Sequence, residues 1–223
     1  MIKRKAHSDV DGTLAARILY YDFFASLFLY DLLLCRENLL KNQISILKQY
    51  PLSDSNIVDF ELLHKELDAN GIKNFIFEHT YLFMLPFTSH IDVNTTFNEK
   101  RKNNSNRTIN KKSVVLYLSY YIDGSIAGNG LTIAKQLVKQ SKVRINDVNF
   151  KENEEHFGFL LLFMKYLLQN NNMDLSIKVF KECIKPMQYK IIEGLNDMGD
   201  GYLYFHISRL LDIFMDVELG IMG

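Results

Sequence analysis

The sequence predicts an all-α protein. Apolar residues recur at intervals of three and four over most of the chain, which is the spacing of one face of a helix. The 223 residues include only three prolines and eleven glycines, so there are few positions at which a helix must end. We find no segment of useful length in which polar and apolar residues alternate, and no internal repeat or heptad pattern.

The composition indicates a folded globular protein and argues against a nucleic-acid binder. Hydrophobic residues make up 48% and charged residues 23% of the chain, a balance typical of a folded globular protein. The 26 basic and 26 acidic side chains cancel, which argues against a nucleic-acid binder, because phosphate contacts require a basic surface. Cys35 and Cys183 are too few for a disulfide framework or a zinc site of their own. Both lie in apolar helical segments, so we expect small core residues in a reducing compartment.

The N-terminal region predicts neither a secretion signal nor a membrane anchor. Its basic start is followed by polar residues, and the apolar stretch 19–35 carries Asp22 and Asp31. An aspartate at the centre of a membrane-spanning helix costs about 2.5 to 3.5 kcal/mol. We therefore expect a cytoplasmic protein without stable membrane insertion.

The N-terminal part of the chain is predicted to contain three helices. Asp11 or Thr13 can cap the first of them. Gly71 suits the left-handed position that ends the second, and Pro86 stops the third. The predicted ranges are 13–50, 57–70 and 74–85.

The C-terminal part is also predicted to be helical. Residues 153–170 form the clearest pattern, and because this segment is apolar on all sides it predicts a buried central helix. Residues 113–122 begin with β-branched side chains, so a short strand is possible, but a helix is preferred because helical spacing continues after the 124–130 turn. Further helices are predicted over 131–142, 173–183 and 201–219.

A polar segment separates these two parts. Residues 92–112 are rich in asparagine, lysine and arginine, which is typical of an exposed linker or mobile loop. The predicted organisation is a single helical domain with an N-terminal part over residues 1–90, a linker or hinge loop over 91–112 and a C-terminal part over 113–223.

One motif suggests an enzyme. Residues 9–13, Asp-Val-Asp-Gly-Thr, match the signature of haloacid-dehalogenase-like phosphatases, in which the first aspartate attacks phosphate and the second acts as acid and base. That chemistry requires a buried strand immediately before the motif, but the preceding residues are Lys-Arg-Lys-Ala-His-Ser. We interpret the motif as a helix cap and keep the phosphatase as an alternative hypothesis.

Two acid–histidine patterns are candidate sites. Glu61 and His64 have the spacing of a di-iron ligand pair, but the chain offers no second pair, so a solvated helix face is expected and no metal or cofactor is predicted. Glu154, Glu155 and His156 fall in the predicted first turn of the central helix. Acids there are favoured by the helix dipole, and a histidine there is expected to be neutral and able to form hydrogen bonds.

Three segments in order resemble the TorD-like family of redox-enzyme maturation chaperones. Residues 153–164, with Glu155-His156, resemble the Asp-His signature of that family, with glutamate in place of aspartate. Leu82-Phe83 followed by Pro86-Phe87-Thr88-Ser89 resembles its second signature, and residues 17–28 are similar to its first helix. The asparagine-rich stretch after Ser89 departs from the family pattern.

The resemblance implies a chaperone rather than an enzyme. Members of the family bind the twin-arginine leader peptide or the apo form of a molybdenum-containing oxidoreductase, assist cofactor insertion and delay export. A leader has a cationic region followed by an apolar helix, so its receptor needs an apolar groove with acids at one end. The expected leader-binding residues are Tyr21, Glu78, His79, Leu82, Phe83, Pro86, Phe87, Ser89, Asp123, Glu154, Glu155 and His156.

Other functions stay open at this point. A helical interaction module unrelated to export would differ from the chaperone only in its partner. Chaperones of this type sometimes exchange halves across the linker, so a monomer or a dimer is compatible with the sequence. No nucleic-acid partner is expected.

Overall fold

The computed structural model describes residues 2–83, 114–144 and 151–223, with side chains described from residue 12 onward. These residues form helices and contain no β-strand, which confirms the all-α prediction. The predicted linker over 91–112 lies outside the described residues, as do Pro86, Phe87 and Ser89. The division into two parts on either side of that linker stays a prediction.

The predicted first helix consists of three helices, α1 (Ile2–Phe28), α2 (Tyr30–Cys35) and α3 (Glu37–Gln49). The backbone leaves the helical conformation at Leu29 and Arg36. Neither position carries a glycine or proline, and the apolar spacing continues across both. The sequence pattern therefore does not indicate that the helix is interrupted there. Because α1 begins at Ile2, the prediction that Asp11 or Thr13 caps its start is wrong.

The next two helices agree with the sequence pattern. Helix α4 spans Asn56–Asn70 and ends at Gly71, whose φ of +61° is strained for a residue with a side chain. Helix α5 spans Lys73–Phe83. Both lie within one or two residues of their predicted bounds.

The C-terminal part differs from prediction in two places. Residues 114–116 are not helical, and Tyr117 forms an antiparallel bridge with His156, so the preferred helix over 113–122 is wrong in its first half. The helix that begins at Lys185 is not predicted at all. A π-helical turn (Phe180–Ile184) precedes it, and Pro186 in its first turn costs little stability, because the backbone N–H that proline lacks has no partner there in any helix. The helices here are α6 (Leu118–Asp123), α7 (Asn129–Lys139), α8 (Phe157–Gln169), α9 (Met173–Val179), α10 (Lys185–Asn196) and α11 (Leu203–Met222).

Helix α8 is the buried central helix that the sequence predicts, and it packs along α1. The two backbones approach closely where Gly158 meets Phe28. A Cβ atom on Gly158 would lie 2.8 Å from the carbonyl carbon of Phe28 and 2.9 Å from its oxygen. Only a glycine therefore allows this crossing without displacement of one helix.

Buried charges connect α1 to the C-terminal helix. The guanidinium of Arg17 donates to both carboxylate oxygens of Glu218, at 2.6 and 3.0 Å, and the Tyr21 hydroxyl donates to the same carboxylate at 2.6 Å. Tyr21 is fully buried. Its ring and its hydroxyl both make contacts inside the core, so in this structure Tyr21 is not exposed to a leader, and its expected role in a leader-binding groove stays a prediction.

The aspartate that interrupts the apolar stretch of α1 has a similar structural role. Asp22 accepts hydrogen bonds from Arg36 at 3.0 Å, Gln43 at 2.9 Å and Lys165 at 2.9 Å. These partners come from three parts of the chain, so one carboxylate joins α1 to α3 and α8.

Two further expectations concern the cysteines and the membrane. Cys183 is buried, as expected, but Cys35 is exposed, so its prediction as a core residue is wrong. Among the described helices, none combines the length and the apolar character needed to cross a bilayer.

The α1–α8 crossing can be tested by adding one methyl group. Gly158→Ala should lower the free energy of unfolding by about 1 to 3 kcal/mol, because the new Cβ overlaps the Phe28 backbone. Gly220→Ala in α11 is the matched control, since no atom lies within 4 Å of its added Cβ, and it should raise stability by at most about 1 kcal/mol. Equal urea midpoints for the two variants would contradict the close crossing.

Candidate functional site

Phe28, at the end of α1, is where the two family signatures meet. Its carbonyl accepts a hydrogen bond from Nε2 of His79 at 3.3 Å. Its ring contacts Phe83 of α5 and, edge-on, Phe157 at the start of α8, with centroid distances of 5.7 and 5.2 Å. Segments that are more than seventy residues apart are thus brought together. We call Glu78, His79, Leu82, Phe83, Glu155 and His156 the signature cluster.

The signature cluster is closed rather than groove-like. Leu82 and Glu155 are fully buried, and Glu78, His79 and His156 are each less than a tenth exposed. Phe83 is half-buried, with its ring packed against His79 at 4.9 Å and Tyr204 at 5.0 Å. These described side chains do not form an open apolar groove in this structure, and only part of the Phe83 ring is accessible. Their contact with a leader stays a prediction.

Glu155 holds the start of another helix. Its Oε2 accepts from the backbone N–H of Ser119 in the first turn of α6 at 2.7 Å, and its Oε1 accepts from that of Ala127 at 3.0 Å. The first turn of a helix has unpaired N–H groups, and a carboxylate is well placed to accept from them. Glu155 also precedes α8 instead of lying in its first turn, so it is a cap for α6 and not an acceptor at the surface.

Two more of the expected arginine acceptors also cap helices. Glu78 accepts from the backbone N–H of Tyr204 in the first turn of α11, at 3.2 Å. Asp123 accepts from the backbone N–H of Asn129, where α7 begins, at 2.6 Å, and from the side-chain amide of the same residue at 2.9 Å. Three of the four predicted acids therefore stabilise helix N-termini.

The fourth acid lies among cations. Glu154 is half-buried and lines a pocket of about 320 Å³. Three basic side chains share that pocket, so an incoming arginine would meet a surplus of positive charge there. Its other lining residues are Lys135, Val138, Lys139, Val143 and Arg144.

The two histidines of the cluster are neutral because they are buried. Burial lowers the pKa of His156 from 6.5 to about 3 and that of His79 to about 4, although the hydrogen bond to Phe28 opposes the shift at His79. Nδ1 of His156 is buried and has no hydrogen-bond partner among the described residues. A neutral His156 was expected, but burial and not the helix dipole is the cause.

A second pocket lies between α6 and α10, and we call it the α6–α10 pocket. It has a volume of about 340 Å³ and combines two tyrosines with two carboxylates. The sequence pattern does not indicate this pocket, because it does not predict α10 and because the two halves of the lining are some seventy residues apart. The lining residues that matter below are Val114, Val115, Tyr120, Tyr121, Glu193 and Asp197, together with Lys190.

The structure offers no support for the metal-site or phosphatase hypotheses. Glu61 pairs with Lys48 at 3.0 Å and His64 with Asp68 at 3.0 Å, as expected of a solvated helix face. Among the described residues, no three His, Cys, Asp or Glu side chains are grouped as metal ligands. The 9–13 motif lies within α1, so it does not follow a strand end as the phosphatase mechanism requires.

Part of the chain is similar to a known protein family. Residues 107–193 match the family model described as nitrate reductase delta subunit. This match confirms the resemblance to the TorD-like chaperones. The family consists of maturation chaperones for molybdoenzymes rather than catalysts, which fits a non-enzymatic protein. The matched range includes the Glu155-His156 signature but not the signature in α5. No curated protein and no solved structure gives a significant match.

The buried histidines predict a specific loss of stability in acid. The unfolded chain takes up protons on His79 and His156 near pH 6.5, whereas the folded chain does so only near pH 4 and pH 3. Their contribution is therefore fully present above pH 6.5 and declines as the pH falls, by up to about 1.4 kcal/mol per pH unit for each histidine. Urea unfolding at intervals from pH 7 to pH 4 measures this slope.

A substitution separates these histidines from general acid denaturation. His156→Gln should make the slope shallower between pH 6.5 and pH 4, because one buried titrating group is gone. His64→Gln is the matched control, since it removes an imidazole from an exposed ion pair and leaves the buried pair intact. An identical slope in all three proteins would contradict the burial of His156.

Adjacent glutamates provide a test of the α6 cap. Glu155→Gln replaces one acceptor oxygen with an amide donor that faces a backbone N–H, which should lower the free energy of unfolding by about 1 to 3 kcal/mol. Glu154→Gln removes the same charge one residue earlier, where no described residue donates a hydrogen bond to the carboxylate, and this variant should melt within a degree or two of the parent. Equal melting temperatures for the two variants would show that Glu155 is not a structural cap.

Proposed function

We propose that this protein is a cytoplasmic chaperone for a molybdenum-containing oxidoreductase. It binds the leader peptide, the apo form of the client or both, assists cofactor insertion and delays export until the client is complete. The observation that carries the proposal is the family match over residues 107–193. The matched range contains only one of the two signature segments. The contact of both segments with Phe28 supports the proposal further, because it places the segment outside the matched range next to the one inside it.

The signature cluster serves this function as a scaffold. Its acids hold the first turns of α6 and α11. Next to it, the ring of Phe28 contacts Phe83 and Phe157 and so joins α1, α5 and α8. A receptor that is rigid before binding loses less conformational entropy when the peptide arrives. The cluster thereby fixes the surfaces around it without contacting the leader through its buried atoms.

Phe83 is the member of the cluster that can contact an apolar part of the client. Its ring is half-buried against His79 and Tyr204, so some aromatic surface is accessible. Pro86, Phe87 and Ser89 follow it in the sequence, and their contact with the leader stays a prediction. An aromatic residue with one buried and one accessible side is a common anchor in peptide recognition.

A capture experiment tests the proposal. The full chain, immobilised and incubated with cytoplasm of the source organism, should retain a molybdoenzyme precursor that mass spectrometry identifies. The labelled leader of that precursor should then bind the chain in fluorescence anisotropy, and a leader with both arginines changed to glutamine should bind about tenfold less tightly, because charge-assisted hydrogen bonds are lost. Retention of no molybdoenzyme, or of mature enzyme as readily as precursor, would contradict the proposal.

An activity assay completes that experiment. The purified chain should not hydrolyse p-nitrophenyl phosphate in the presence of magnesium, because the 9–13 motif lies inside a helix. Turnover that Asp9→Asn abolishes would instead establish a phosphatase.

A further inference from the structure

We infer that the α6–α10 pocket is the subsite that receives an arginine side chain of the client leader. The inference rests on the proposed function and adds the place and the chemistry of recognition. It differs from the sequence expectation, in which Glu78, Asp123, Glu154 and Glu155 receive the arginines. Three of those acids cap helices and the fourth lies among cations.

The charges of the pocket favour a cation. Glu193 lies in the last turn of α10, and Asp197 follows the end of that helix at its C-cap. The C-terminal end of a helix carries partial negative charge from its unpaired carbonyl groups. Among the described side chains that line the pocket, two are acidic and one is basic.

The aromatic wall favours a guanidinium over an ammonium group. Tyr121 is held in place because its hydroxyl donates to the carbonyl of Val115 at 2.6 Å. Tyr120 packs edge-on against it with a centroid distance of 5.3 Å and is 46% exposed, so one ring face is accessible. A planar guanidinium can stack on such a face while its N–H groups reach a carboxylate, whereas the compact ammonium of lysine gains less from the ring.

The surroundings of the pocket suit an apolar segment next to the arginine. Val114 and Val115 contribute apolar side chains to the lining. Ile122 and Tyr189 are neighbours in sequence of the pocket residues Tyr121 and Lys190, and both are exposed, Tyr189 by 69%. A cationic group adjacent to an apolar segment is the chemistry of a twin-arginine leader, and this surface complements it.

Lys190 already occupies one of the two acidic side chains of the pocket, so an incoming arginine would compete with it for Glu193. Its Nζ lies 2.8 Å from Oε2 of Glu193, with both side chains more than half exposed. An exposed pair of this kind is weak and exchanges readily with another cation. An arriving arginine would therefore displace Lys190 from Glu193, so removal of Lys190 and removal of Glu193 must change leader affinity in opposite directions.

Leader binding to single variants tests this directly. In fluorescence anisotropy with the labelled leader of the captured client, Glu193→Gln and Asp197→Asn should each raise Kd by about threefold to tenfold, and Lys190→Gln should lower it by about twofold to fivefold. Asp216→Asn on α11 is the matched control, because it removes an exposed acid that does not line the pocket. The melting temperatures of all four variants should stay within two or three degrees of the parent, since their side chains are exposed.

A double-mutant cycle tests the aromatic wall. A leader with both arginines changed to lysine should bind the parent chain about threefold to tenfold less tightly, and Tyr120→Leu should remove most of that preference. Such coupling identifies Tyr120 as a contact of the guanidinium.

The outcomes separate the two proposals. Leader binding that is unchanged in Glu193→Gln and Asp197→Asn, or that changes in the same direction in Glu193→Gln and Lys190→Gln, overturns the subsite and leaves the chaperone function standing. A parent chain that binds neither leader nor apo client overturns both.

Discussion

A buried carboxylate governs the geometry of the C-terminal part. Glu155 accepts two backbone N–H groups, from Ser119 and Ala127, and its own carbonyl accepts from Leu118 at 3.2 Å. A buried charge without hydrogen-bond partners would cost several kcal/mol. The start of α6 and the turn before α7 must therefore stay next to the Glu155 carboxylate. The place of α6 in turn fixes one wall of the α6–α10 pocket. The structural acid and the exposed pocket are thus linked, although they do not share a residue.

The same region is joined to the N-terminal helices through Phe28. Gly158 allows the Phe28 backbone to approach α8, and the carbonyl of Phe28 is then available to His79 of α5. His79 and His156 are close enough that a positive charge on His156 lowers the pKa of His79. In the folded chain both stay neutral down to about pH 4, which avoids two like charges in a region of low dielectric constant. The crossing of α1 and α8 and the neutrality of the histidines are therefore parts of one arrangement.

The sequence predicted the features that depend on local pattern. Helix α4 with its terminal Gly71 and the burial of α8 follow from spacing and backbone preference. The breaks at Leu29 and Arg36 could not be predicted, because no glycine or proline lies at or next to either position. The helix-capping role of Glu78, Asp123 and Glu155 could not be predicted either. The carboxylate of Glu78 meets a backbone N–H that lies 126 residues further along the chain, and a capping acid has the same appearance in a sequence as one that awaits a ligand.

This difference between capping and recognition explains why a family signature and a binding surface need not coincide. Replacing Glu155 leaves the buried N–H of Ser119 without its partner, whereas replacing Glu193 removes an exposed side chain from a weak ion pair. Residues of the first kind are constrained by the fold whatever the client, and residues of the second kind can change at little cost to stability. A chaperone scaffold that serves clients with different leaders would carry its common motif in the buried cluster and its selectivity in exposed residues. On this argument the arginine subsite proposed for the α6–α10 pocket, which lies outside both signature segments, has exposed charged side chains that can change without disturbing the fold.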